Sequence, residues 1–183
     1  MKSSLVVLSL VAFMSSSAFA TSVKFDIQLH EILTLKKVSN TRFEKISDVA
    51  TGVASLEMDV NGEKKTLLKQ ALNEAAPANE VSIEITGKNI VRIIDQKENI
   101  NQEVEADINK SLFGGLKSIT LKSATLQALY SESLKKSGLD ILRGLNVGGQ
   151  LSSDVTFSDE VCTKDGDLLI CNQDSHLEIN IAD

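Results

Sequence analysis

A chain of 183 residues with a net charge of −6 and no basic run is a poor partner for phosphate backbones or anionic headgroups, because like charges repel. No Trp, one Tyr and six Phe leave few rings for stacking on bases or sugars, or for the aromatic girdles of an outer-membrane barrel. With 42% hydrophobic and 24% charged residues the composition is globular rather than disordered, and the core must be built from Leu, Ile and Val.

The first twenty residues read as a cleaved signal peptide. Lys2 gives a positive start, residues 5–14 are apolar, and Ala18-Phe19-Ala20 has the small-x-small form a signal peptidase accepts, with Ala18 and Ala20 as its recognition positions. The apolar run is about half the roughly 20 residues a spanning helix needs, and no later stretch is long enough. The expectation is an exported protein, periplasmic or extracellular. Residues 21–183 then form a single globular β-rich domain with no integral membrane segment and no nucleic-acid partner.

Period-two alternation dominates from there. Val23, Phe25, Ile27 and Leu29 alternate with polar residues, and Leu33 and Leu35 extend the same face, which predicts a long half-buried strand. Leu56, Met58 and Val60 alternate into Asn61-Gly62, a type I′ hairpin signal. Residues 64–74 fit a strand or a short helix, and Pro77 lies in a connector. Shorter strands follow around Val81–Ile85, Ile90–Ile94, Val104–Ile108 and Ile119–Leu121.

The period then changes. Leu126, Leu129, Tyr130 and Leu134 sit at helical spacing over 125–136, with Ser123 as the cap and Gly138 at the C′ position. Leu139, Ile141, Leu142 and Leu145 form an apolar stretch that extends the helix or crosses the core, ending at Gly148-Gly149. Leu151–Phe157 and Leu177–Ile181 alternate again. The pattern predicts nine or ten strands and one helix: a mainly β fold, an antiparallel sandwich or up-and-down barrel with the helix closing one end, α+β by strict count.

Cys162 and Cys171 are the only cysteines, which suits a disulfide in an exported chain. Asp165-Gly166-Asp167 between them is turn chemistry. If Gly166 and Asp167 are the central turn residues, Asp165 faces Leu168. Counting outward, Cys162 then faces Cys171 on a non-hydrogen-bonded pair, within reach of a bond.

Nothing spells a catalytic constellation. His30 and His176 fall on polar strand faces and read as solvated side chains. Asp159, Glu160, Asp165 and Asp167 could hold Ca²⁺ but read more simply as a polar hairpin. Ser133-Leu134-Lys135-Lys136 spells S-x-x-K at a helix end, where lysines serve the dipole. The chain therefore reads as a non-catalytic binding or interaction protein with no metal or cofactor, engaging an unknown protein partner. One alternative is a carrier of a small hydrophobic ligand such as a lipid, in a sheet cavity lidded by residues 125–145. The other is an enzyme without a recognisable motif.

Overall fold

The computed structural model describes residues 22–60, 62–76, 81–143 and 149–182. The expected signal peptide with Ala18 and Ala20, Asn61, the connector at Pro77 and Leu145 to Gly148 lie outside them. In chain order the elements are β1 (Ser22–Lys37), β2 (Arg42–Val60), β3 (Glu63–Ala76), β4 (Val81–Ile85), β5 (Ile90–Asp95) and β6 (Ile100–Glu105). There follow β7 (Asp107–Lys110), β8 (Leu116–Leu121), α1 (Ser123–Arg143), β9 (Gln150–Phe157), β10 (Glu160–Asp165) and β11 (Leu168–Ala182). The fold is mainly antiparallel β with one helix near one end, as the alternation predicts.

The strands run in the order β6-β5-β4-β2-β1-β11-β10-β8-β7, and neighbours in this order pair antiparallel. The two ends of that order, β6 and β7, are consecutive in the chain and separated only by Ala106. One bent strand thus pairs with β5 through its first half and with β8 through its second, so the sheet nearly closes into a barrel. The buried Ala106 sits at the bend and donates its N–H to the Asn89 carbonyl at 2.9 Å.

β1, β2 and β11 are long enough to run past the barrel. Beyond it β3 pairs with β2, and β9 pairs with β11. These long strands therefore serve two apolar cores. Inside the barrel, Leu33, Leu35, Phe43, Ile83, Ile119 and Leu169 pack with Leu126 of the helix. Beyond it, Phe25, Ile27, Leu56, Val155, Leu177 and Ile179 pack with Leu142.

Residues 64–74 resolve as strand. Most of β3 is exposed and Leu72 is its buried hydrophobic residue, so no period marks it as strand or helix in the sequence. The helix departs from its predicted bounds. Gly138 is interior rather than C′, and α1 continues to Arg143. Glycine is there for proximity: a Cβ would lie 2.5 Å from Leu177 Cδ2 and 2.8 Å from Ile179 Cδ1.

Ser123 is not the cap either. The Lys122 carbonyl accepts the Leu126 N–H, so Lys122 holds the capping position. The side chain serving the helix start comes from elsewhere: Asp159 Oδ1 accepts the Ser123 N–H at 2.7 Å. That bond, with Lys122 beside it, holds the Asp159 carboxyl below its usual range. Asp159→Ala should lower the midpoint of denaturant unfolding to the extent usual for a lost helix cap. An unchanged midpoint would mean the bond is not made in solution.

The cysteine hairpin folds in the register counted from its turn. Asp165 faces Leu168, Cys162 faces Cys171, and Gly166 takes φ 57°. The disulfide forms between buried Cys162 and Cys171, and neither cysteine is free. Closing so short a loop is worth about 2.5–3 kcal/mol in the chain-entropy model. The Cys162→Ala/Cys171→Ala double variant should lose at least that much in denaturant unfolding, because two buried sulfurs are deleted as well. A loss below about 0.5 kcal/mol would place the loop's order in its packing rather than in the bond.

Candidate functional site: a polar layer between two apolar cores

Alternation on β1 turns every odd residue from Val23 to Leu35 inward. The position between Leu29 and Leu33 on that apolar face is therefore an inward glutamate, Glu31, and it is 5% exposed. On β11 the inward series Leu169, Cys171, Leu177, Ile179 is likewise interrupted by Gln173, which is 3% exposed and directly opposite Glu31 in register.

β2 reaches the same level through an irregularity. Its pairing with β1 steps from Thr34↔Ser47 to Leu35↔Lys45, leaving Ile46 as an extra, outward residue. That insertion switches the strand's parity. Lys45 faces inward before it, and Asp48, Ala50 and Ala54 face inward after it. Lys45 Nζ and Asp48 Oδ2 sit 3.6 Å apart, both almost wholly buried. Glu160, at the first position of β10, is buried beside the helix start, and Tyr130 enters from the middle of α1. Together these residues form a charged and polar layer where the two apolar cores meet.

Taking a carboxylate out of water disfavours its charged form. Burial, reinforced by the Asp48 carboxylate, pushes Glu31 up to about 8. Burial also raises Glu160 to about 7, with Asp48 adding to it. The Tyr130 phenol is held well above its ordinary range by burial and by the acidic groups of Asp95, Glu160 and Glu31. Two hydrogen-bonding groups of the layer find no protein partner: Glu31 Oε1, and both the oxygen and the nitrogen of the Gln173 carboxamide. Buried polar atoms are almost always paired, and leaving one unpaired costs about 1–3 kcal/mol.

Of the residues singled out in the sequence, Glu160 belongs to this layer with the buried Cys162 and Cys171 sulfurs close beside it, and the histidines and the other acidic residues lie elsewhere. Both histidines are on the outer face, as expected, but each is tied to an aspartate across the β1–β11 pairing. His30 Nδ1 lies 2.8 Å from Asp174 Oδ1, and His176 Nε2 lies 2.9 Å from Asp26 Oδ2. Asp26, His176 and Glu178 are close enough to share an ion. Their polar groups are already engaged, however: Glu178 meets Lys24 at 2.6 Å and Asn180 at 2.7 Å.

The four acidic residues of the cysteine hairpin do not gather. Asp159 serves the helix, Glu160 is buried, and Asp165 and Asp167 stand exposed at the tip. The Ser133 hydroxyl is taken up by the Glu98 carboxylate. Among the described residues no helix is long and apolar enough to cross a membrane.

Comparison of the chain with protein-family models, with curated proteins and with solved structures finds no match.

Proposed function

We propose that this is an exported, non-catalytic binding protein that recognises a small ligand in the polar layer of its barrel. The observation that carries the reading is Gln173, a buried carboxamide turned inward with neither its donor nor its acceptor met by the protein. Such a group is costly in a finished core and useful in a site, where ligand atoms meet it. A layer of Glu31, Lys45, Asp48 and Glu160 suits a polar ligand better than a lipid. The buried disulfide is compatible with an oxidising compartment, which supports export.

Native mass spectrometry of the unreduced protein from its own compartment tests this. The expected result is a chain starting at Thr21 with a bound species of up to a few hundred daltons, absent from a folded Gln173→Leu variant. A bare wild-type chain would overturn the ligand reading.

A second reading, contact with a protein partner, is favoured by Leu112 and Phe113. They stand 101% and 98% exposed at the turn between β7 and β8. In that case Leu112→Ser/Phe113→Ser would abolish co-purification of the partner without changing Tm.

A further inference from the structure

We infer that the ligand of the polar layer is a small organic cation, held by the carboxylates of Glu31 and Glu160 and oriented by the Gln173 carboxamide. This deepens the proposed binding function and rests on it. The layer carries more buried acid than base. Among the described residues the buried carboxyl groups are Glu31, Asp48, Asp95 and Glu160, and the one buried cation is Lys45. Lys45 lies against Asp48, and Asp95 accepts the backbone N–H groups of Lys97 and Glu98 in its own turn. Glu31 and Glu160 are left as the excess. A cation supplies the missing charge, and charge-assisted hydrogen bonds are about twice as strong as neutral ones.

The spacing of the carboxylates favours an organic cation over a metal ion. Ligand oxygens around one Ca²⁺ stand about 2.3–2.6 Å from it, so they crowd together. Among the described residues, the groups whose ligand atoms lie within 4.8 Å of one another are Asp26 with His176 and Glu178, and Glu160 with the two cysteines. Glu31, Asp48 and Glu160 do not form such a group. Glu31 and Asp48 hydrogen-bond to each other, and the Glu160 carboxylate does not converge with both on one point, which suits a guanidinium or ammonium carried on a carbon frame. Such a ligand can donate to Glu31 Oε1 and to the Gln173 carbonyl oxygen, both without a protein partner.

Binding of a cation here is linked to proton release. The groups facing Glu31 are Asp48 and Lys45 on β2, Gln173 on β11, Glu160 on β10 and Tyr130 on α1, with Asp95 and Glu98 close to Tyr130. In this company Glu31 and Glu160 are largely protonated below neutrality, whereas a cation binds their ionised forms. Affinity therefore rises with pH as the competent form becomes populated.

The test is isothermal titration calorimetry on the mature, disulfide-bonded protein at about pH 6 and about pH 8.5, in buffers of different ionisation enthalpy. The probes are methylammonium, putrescine and agmatine, with butanediol and succinate as neutral and anionic controls. We expect at least one amine to bind roughly tenfold or more tightly at the higher pH, with proton release, and Glu31→Gln to remove most of that pH dependence while remaining folded by circular dichroism. Equal binding of butanediol or succinate, pH-independent amine binding, or no binding by any amine would overturn the cation. If native mass spectrometry still finds a bound species, the wider binding reading survives that failure. If it finds none, both fall.

Discussion

Glu31→Gln should stabilise the protein at about pH 8.5 by several kcal/mol and change little at about pH 5. In the folded state Glu31 is raised to about 8, against an ordinary value of 4.5. Between those values the folded state holds a proton that the unfolded state has lost. Stability therefore falls as pH rises through this window, and the full loss is reached above about pH 8. A tenfold difference in proton affinity between the two states corresponds to about 1.4 kcal/mol. Gln imitates the protonated acid: it is neutral, has the same shape and can donate to Asp48. It escapes the cost of ionising in a buried site. For a chain of this size, about 3 kcal/mol corresponds to roughly 6–12 °C in Tm. Glu160, raised to about 7, adds to the wild type's decline with pH in the same direction. A ligand-free wild type whose Tm is flat from about pH 5 to about pH 9 would mean that Glu31 is hydrated, and the layer would no longer be a dry one.

Gly52→Ala should cost about 3 kcal/mol or more, a large effect for one methyl group. Gly52 lies on β2 opposite Leu29 of β1, and a Cβ built there falls 2.0 Å from the Gln28 carbonyl oxygen. The obstruction is backbone, held by the long pairing of β1 with β2, so it cannot swing away as a side chain can. Gly138→Ala makes the contrast. Its Cβ meets only the tips of Leu177 and Ile179, which can shift, and alanine gains about 1 kcal/mol of helix propensity over glycine. The two effects should nearly cancel at Gly138. Thermal denaturation of both variants decides the matter. If Gly52→Ala is as stable as wild type, the close approach of β1 to β2 is wrong.

Strict alternation carries much of this fold. It places the apolar faces of β1, β9 and β11, and the turn at Gly166 fixes the pairing of Cys162 with Cys171 by counting alone. The same alternation puts Glu31 and Gln173 on buried faces, where parity is their only mark, because neither residue type advertises burial. Lys45 and Asp48 are harder to find. They face the same side only because Ile46 is inserted between them, and such a bulge leaves no trace in composition. Glu160 draws notice in the sequence as part of an acidic hairpin, which is not its role. Its burial comes from the pairing of β10 with β8, a contact between distant segments. Gly138 suggests a helix end because glycine's commonest helical role is terminal, and its role as a close-contact residue depends on β11. The aspartates that hold the histidines are equally non-local, separated from them by 144 and 150 residues.

The most direct test of the polar layer as a binding site is a high-resolution crystal structure of the mature protein from its own compartment, read at Glu31, Glu160 and Gln173. A binding site there requires one discrete, non-water density bonded to the Gln173 carboxamide and to Glu31 Oε1, and that is the expected result. Gln173 and Glu31 paired with each other, or with ordered water alone, would contradict it.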